Sequence, residues 1–275
     1  MYKKILTIQD VSCVGQCSLT VALPILSACG HETAILPSAV LSTHTAGFSG
    51  YTFRDLTKDI EGIRAHWVKE NIKFDAIYTG YLGSTEQIDL VKSIISTCSR
   101  ENAKIVVDPA MADNGKLYPG FDEKYVSAMK SLVAVSDYVV PNITEACMLT
   151  GVEYKTEYSE EYIADLVAKL LSLGAKNVIL TGVSYKANKT GVVVVDNGRD
   201  YYYEHDKLEN SCHGTGDIYA SAFVGALLRD KSAYESAKIA ADYTVSCIKE
   251  TATLDNHWYG AAFEPVLGEL INMVK

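Results

Sequence analysis

Short runs of β-branched and aliphatic residues recur along the chain, and most are separated by stretches long enough for a helix. Ile105-Val106-Val107, Val178-Ile179-Leu180 and Val192 to Val195 are apolar without alternation. A strand wet on one face alternates polar and apolar side chains. A run without alternation fits a strand covered on both faces, as in a parallel sheet between helical layers. On this basis strands are expected over Lys4–Gln9, Thr33–Leu36, Ala76–Tyr81, Lys104–Asp108, Tyr138–Val140, Asn177–Thr181, Gly191–Val195 and Asp200–His205. Helices are expected over Ser18–Ala28, Asp55–Asn71, Thr85–Arg100, Glu123–Val135, Thr144–Thr150, Glu160–Leu173, Thr215–Arg229, Ser232–Glu250 and Phe263–Val274. Ala164, Val167, Ala168, Leu170 and Leu171 keep helical spacing, and Gly174 closes that helix. The order predicts an α/β fold: a three-layer αβα sandwich, doubly wound about a mostly parallel sheet. Asp196-Asn197-Gly198 joins two strand-like runs and reads as a hairpin turn, so the later strands add an antiparallel edge pair. Asp113–Gly120 and Val183–Thr190 are the most turn-rich loops. No linker, repeat or low-complexity segment divides the chain, and one domain over 1–275 is expected.

Charge and hydropathy remove several functional classes. The chain has 25 basic and 34 acidic residues, a net charge of −9, and no Lys/Arg-rich run. A nucleic-acid partner is therefore not expected, since it would need a basic face. No apolar stretch approaches the roughly 18 residues of a membrane span, so no membrane association is expected. The basic start Met1-Tyr2-Lys3-Lys4 leads into Ile5 to Ile8, but Gln9-Asp10 ends the apolar part too early for a signal peptide. A cytoplasmic protein with a first buried strand is the reading. The seven cysteines are odd in number and include no C-x-x-C pair. Reduced, small apolar packing residues are expected. Cys13 and Cys17 have i, i+4 spacing, for which packing is again the simpler role.

In open α/β sheets, ligands bind beyond the carboxyl ends of the strands. Asp10, Tyr81, Asp108, Asn142 and Thr181 stand at such ends. The sharpest local pattern is Cys212-His213-Gly214-Thr215-Gly216-Asp217, which opens a helix. Two glycines admit close backbone approach, and a helix start offers free N–H groups and a positive dipole end; together they make an anion site. An acid just beyond would repel a bound phosphate. It fits as a base that takes a hydroxyl proton beside a transferring phosphoryl group. A plain glycine turn with Asp217 as a favourable first-turn charge would read the same way. Asp108-Pro109 ends a buried strand, where an acid is costly unless exposed, paired or metal-linked; an ordinary Asp-Pro turn is the alternative. Asn142-Ile143-Thr144-Glu145 also has the form of a capping box. No G-x-x-x-x-G-K-[ST] loop is present, so phosphate binding would rest on amides and metal.

The Gly-Thr-Gly-Asp turn resembles the anion hole of the ribokinase superfamily. Ile8-Gln9, Thr43-His44-Thr45, Thr79-Gly80-Tyr81-Leu82-Gly83-Ser84, Val107-Asp108-Pro109-Ala110-Met111 and Val140-Pro141-Asn142-Ile143-Thr144-Glu145 resemble pyridoxal kinases, in family order from Ile8 to Asp217. The resemblance implies a ribokinase-like fold and ATP-dependent phosphorylation of the 5′-hydroxymethyl group of pyridoxal, pyridoxine or pyridoxamine. By the same resemblance, Asp217 is the general base and Gly214, Thr215 and Gly216 form the anion hole. Asp108 and Glu145 hold magnesium, Asn142 lies near the ATP phosphates, and Thr181 contacts nucleotide. Thr45 contacts the ring's phenolic oxygen, and Tyr81 flanks the ring. ATP and Mg2+ are the implied cofactors, with room for a monovalent cation such as K+, and a homodimer is the implied assembly. Asp10 departs from the family pattern, in which many members have Ser after Ile-Gln. A carboxylate can only accept a hydrogen bond, so Asp10 is expected to pair with a protonated pyridinium N–H and raise its pKa. Related pyrimidine kinases carry Cys where Asp217 stands, and base chemistry is the simpler reading of Asp here. A hydroxymethylpyrimidine kinase, a dual-specificity enzyme and a catalytically silent B6- or nucleotide-binding module remain the alternatives.

Overall fold

Strand β1 (Lys4–Ser12) lies inside a nine-stranded sheet and marks where the strand order reverses. The structure, a computed structural model, describes residues 2–208 and 212–275; Met1, part of the basic start, lies outside the described residues. Across the sheet the order is β11 (Arg199–Asp206), β10 (Lys189–Asp196), β9 (Asn177–Val183), β8 (Tyr138–Val139), β5 (Ser99–Val107), β4 (Phe74–Thr79), β1, β2 (Glu32–Leu41) and β3 (Phe53–Asp55). From β9 to β2 all neighbours are parallel. The edge strands β3, β10 and β11 pair antiparallel. After β1 the chain crosses to β2 on one side; after β4 it crosses to β5 on the other. The crevice at the carboxyl ends of β1 and β4 is therefore the topological switch point, where a ligand site is expected.

Helices cover both faces. One layer holds α1 (Leu19–Ala28), α7 (Thr215–Leu227), α8 (Ala233–Thr251) and α9 (Leu267–Met273). The other holds α2 (Thr57–Lys69), α3 (Thr85–Cys98), α4 (Glu123–Val133), α5 (Ile143–Thr150) and α6 (Glu160–Ser172). Successive strand residues feed opposite cores: Leu6 and Ile8 join one and Ile5 the other, and Ile77 and Tyr78 divide likewise. That division is the reason the strands read as unbroken apolar runs. Local signals set the helix ends. The Asp122 carboxylate accepts from the Lys124 and Tyr125 N–H groups to start α4, and Ser232 and Glu235 form a capping box on α8. Among the described residues no helix is long and apolar enough to cross a membrane.

The Asn197-Gly198 turn is a hairpin with both residues at positive φ, as a type I′ turn requires. A second such hairpin, Asn114-Gly115 between β6 (Ala112–Asp113) and β7 (Lys116–Leu117), occupies the loop expected over 113–120. The expected helix from Asp55 begins only at Thr57, because Phe53–Asp55 pairs as an exposed three-residue edge strand. Its residues are too few and too exposed to leave a periodic signature. The expected last helix from Phe263 begins only at Leu267. Pro265 disfavours helical backbone at Glu264 before it.

Phe223 of α7 is fully buried and meets Tyr138 edge-on at 5.8 Å between ring centroids. Phe223→Ala is expected to cost about 3–5 kcal/mol of stability, read from urea unfolding midpoints.

Candidate active site

The site begins with an irregularity in β1. Gln9 pairs with Pro37 and Val11 with Val40, so β2 sets two residues, Ser38 and Ala39, opposite Asp10. Such a bulge re-aims the side chain it adjoins. Asp10 is only 5 % exposed. One carboxylate oxygen accepts from the Ser18 hydroxyl at 2.5 Å, and the other from the Ser12 hydroxyl at 3.0 Å. Burial pushes its pKa up, and the two serine hydroxyls oppose that shift.

The chain after β1 folds back under the start of α7. Gly214, the N-cap of α7, has φ +78°, and a Cβ there would lie 1.8 Å from the Gln16 carbonyl oxygen. Only glycine meets both conditions. The same approach brings the Cys17 Sγ to 3.4 Å from that Cβ position. The Cys17 thiol is pushed up by burial and by Asp217 and Asp10, so it is poorly nucleophilic. Ser18 follows with φ +54° and ψ −130°, a conformation that costs a non-glycine residue about 1–3 kcal/mol.

At the other side of this contact stands α7. No side chain caps it, so the N–H groups of Thr215, Gly216 and Asp217 have no intrahelical acceptor. A Cβ on Gly216 would meet no atom within 4 Å, so this side of the turn is open. Asp217 is half-buried in the first turn. Burial pushes its pKa up to about 7, Asp10 adds to the rise, and the Ser18 backbone N–H opposes it. The carboxyl is thus pushed toward neutrality in the first turn of α7, whose leading N–H groups lack intrahelical acceptors.

Two further acids approach from the other side. Asp108 follows β5 and is 8 % exposed; its N–H continues the β4 ladder to the Thr79 carbonyl at 3.0 Å. Glu145 is 3 % exposed in α5. Burial raises both carboxyls well above their ordinary range; Asp217 adds to the rise at Asp108, and Asp108 to that at Glu145. The Tyr118 phenol faces Glu145, Asp113, Asp108 and Asp217 and is pushed up by burial and by all four. Neither Asp108 nor Glu145 has a basic partner among the described residues. Among the described residues no three His, Cys, Asp or Glu side chains converge as an ion cage. Glu145 already accepts the Met111 N–H at 3.2 Å and the Asn142 N–H at 2.9 Å, one on each oxygen, and Asp108 lacks a basic partner; two hard carboxylates of this kind fit magnesium, which takes one or two protein carboxylates and completes its shell with water and phosphate oxygens.

The other candidate residues divide. Asn142 and Glu145 form the capping box: Asn142 Oδ1 accepts the Glu145 N–H, Glu145 accepts the Asn142 N–H, and each bond is 2.9 Å. Asn142 Nδ2 donates to the Ala112 carbonyl at 2.9 Å, so its amide is committed within the protein. Thr181 bridges to Asn142 and donates to the Pro141 carbonyl at 3.2 Å. It also lines a cavity of about 80 Å³ with Thr190, His205, Tyr219 and Thr244. Tyr81 stacks on Phe121 at 5.5 Å, and its phenol is pushed up to about 12 by burial and then by Asp10, Tyr51 and Asp55. Thr45 is exposed on the β2–β3 loop. Its neighbour His44 anchors that loop: Nε2–H donates to the Tyr259 carbonyl at 2.5 Å and Nδ1 accepts the Ala46 N–H at 3.2 Å. The structure therefore sets Asp10 and Asp108 each within reach of the charge of Asp217, Tyr81 near Asp10 and Glu145 near Asp108, with Asn142 capping beside Glu145 and Thr181 bridged to Asn142. It leaves Thr45 on the rim.

Sequence reasoning missed Ser18 and the buried Tyr78 and Ser221; Gln9, marked only as part of the Ile8-Gln9 motif, is buried as well. The Tyr78 hydroxyl faces Asp108, Asp217, Ser221 and Gln9 between the sheet and α7. A polar residue one helical turn after Asp217 was the available signal for Ser221. Nothing local marks the others.

The site and the fold define a phosphotransferase of the ribokinase-like class. The model of the phosphomethylpyrimidine kinase family matches residues 27–262, and the chain belongs to that family. A pyridoxal kinase of Dictyostelium discoideum is 26% identical over 273 residues, covering 93% of this chain and 85% of its own. The crystal structure of pyridoxal kinase from Lactobacillus plantarum superimposes with a TM-score of 0.91 at 30% identity, covering 99% of this chain and 98% of that one. A Bacteroides thetaiotaomicron protein provisionally designated a phosphomethylpyrimidine kinase, in a crystal form with pyridoxal, gives 0.93 at 35% identity, covering 98% and 96%.

Folding disfavours the ionised form of Asp108. Its folded pKa is raised, so the cost exists above the unfolded value near 4 and fades as pH falls toward it. Asp108→Asn should therefore stabilise the magnesium-free protein by about 0.5–2 kcal/mol at pH 8 and by little near pH 4. Denaturant midpoints at the two pH values check this. Added magnesium should narrow the gap at pH 8 by stabilising the wild type alone.

Proposed function

We propose that the protein transfers the γ-phosphoryl group of ATP to the 5′-hydroxymethyl group of a B6 vitamer. The observation that carries this reading is the Asp217 carboxyl. It titrates near 7, sits at the open amide end of α7, and shares its surroundings with Asp10 at the switch point. The chain's kinase family supports phosphoryl transfer, and its likeness to pyridoxal kinase over 99% of the chain supports a B6 vitamer as the acceptor.

In this reading the vitamer hydroxyl lies between Asp217 and the γ-phosphate. Asp217 takes the hydroxyl proton as the oxygen attacks phosphorus; a base of pKa near 7 is well matched to that role at neutral pH. The Thr215, Gly216 and Asp217 N–H groups point where the equatorial phosphoryl oxygens gather charge, and they need not reorganise to do so. Asp108 and Glu145 would hold magnesium, which when bound neutralises phosphate oxygens. Asn142 shapes the wall beside them through the capping box, and Thr181 lies on the nucleotide side. Asp10, an acceptor held by two serine hydroxyls, receives the pyridinium N–H, with the Tyr81 ring flanking the pyridine.

A second reading, phosphorylation of a hydroxymethylpyrimidine, is favoured by the family whose model matches. Competition between pyridoxal and the pyrimidine alcohol for one ATP-dependent assay decides between them. Failure of every B6 vitamer to yield ADP and a phosphorylated product would falsify the primary reading.

Asp217→Asn should lower kcat by about 10²- to 10⁴-fold while nucleotide binding, read by thermal shift, persists. In the wild type kcat/KM should fall about tenfold per pH unit below pH 7, as the base is protonated. That limb should vanish in Asp217→Asn. Asp10→Asn should weaken pyridoxal binding and abolish its dependence on ring protonation, measured as KM against pH.

A further inference from the structure

We propose that Ser18 is a positioning residue that fixes the Asp10 carboxylate through its hydroxyl, holding that acid in one arrangement at the ring end of the crevice. The proposal rests on the reading of Asp217 as base and Asp10 as the ring-end acceptor.

Ser18 occupies the N-cap position of α1, where serine is favoured because its hydroxyl can accept a backbone N–H of the first turn. Here the hydroxyl caps nothing. It donates instead to Asp10 at 2.5 Å, a charge-assisted bond. The helix starts without it, since the Ser18 carbonyl already accepts from Val21 at 3.0 Å and Ala22 at 2.9 Å. The backbone is unusual as well. At φ +54° and ψ −130° glycine is the unstrained choice, yet a serine stands there, nearly fully buried. A bridge to Val11, one residue past Asp10, pins this strained residue to β1. A residue serving only as a helix start would use its hydroxyl as a cap or would be glycine. Strain retained together with a redirected hydroxyl is the pattern of a site constraint.

Asp10 is faced by Ser12 on its own strand, Cys17 and Ser18 from the following loop, His44 from the β2–β3 loop, Tyr81 after β4 and Asp217 of α7. Of these, Ser12 and Ser18 donate to its oxygens. Losing the Ser18 hydroxyl removes the shorter of the two bonds that favour the ionised form, so the Asp10 proton affinity must rise.

Ser18→Gly isolates this effect. Glycine accepts the backbone without strain, so only the hydroxyl is lost. Carbon-13 NMR titration of the Asp10 carboxyl should show at least a tenfold gain in proton affinity. The vitamer KM should rise at least tenfold while kcat falls less than threefold. Ser18→Ala retains the strain without the hydroxyl. It should give the same Asp10 shift and the same rise in vitamer KM with a lower melting temperature than Ser18→Gly. An Asp10 midpoint in Ser18→Gly within twofold of the wild-type proton affinity would overturn the proposal. So would an unchanged vitamer KM in an active enzyme. The NMR readout needs no turnover: a wild type inactive on all B6 vitamers together with the expected Asp10 shift would remove the functional reading and leave the Ser18 assignment standing.

Discussion

The approach of Gly214 to the Gln16 carbonyl is the contact on which the site depends. It requires a missing Cβ and a left-handed backbone at the same residue. Because it is met, the first turn of α7 rests directly on the loop that leaves β1. The free amides of one element and the acid of another then share one crevice. Asp10 comes from the first strand and Asp217 from more than two hundred residues later, yet they feel each other's charge. Any side chain at 214 would push α7 off that loop and separate the amides from the switch point.

Around this contact the protein accumulates negative charge with no basic partner among the described residues. Asp108, Glu145 and Asp217 each raise, or are raised by, a neighbouring carboxylate, and burial raises all three. Such an arrangement costs folding energy. Stability is maintained by the two apolar cores on either face of the sheet, far larger than the crevice. The cost has a chemical use. A carboxyl kept near neutrality can take a proton at neutral pH, and two acids without a counter-ion attract a divalent cation together with its phosphate ligands. The strained Ser18 belongs to the same economy of local disadvantage held in place by a well-packed surround.

Much of the fold was legible because burial on two faces leaves a mark that needs no partner. Ile105-Val106-Val107 and Val178-Ile179-Leu180 are apolar whichever neighbours they pair with, and the strands were placed on that ground. Turn chemistry was legible for the same reason: Asn197-Gly198 prescribes its own backbone. The equivalent Asn114-Gly115 hairpin leaves no such mark, because its strands are two residues each, too short for any periodicity. Strand β3 escaped for a like reason. In the site, Asp217 and its glycines could be marked because a helix start is a local event. Ser18 could not, since its importance lies in a hydroxyl turned away from its own helix toward another strand.

The sequence by itself determined the alternation of elements, the glycine turn before α7 and the acids at strand ends, since each depends on residues adjacent in the chain. Only the tertiary structure decided that the Asn142 amide also donates to Ala112, that Thr45 is exposed, and that the Ser18 hydroxyl turns to Asp10. Those outcomes depend on which strand lies beside which, on one bulge opposite Asp10, and on how deeply each carboxylate is removed from water. Such quantities arise only when segments distant in the chain are packed together.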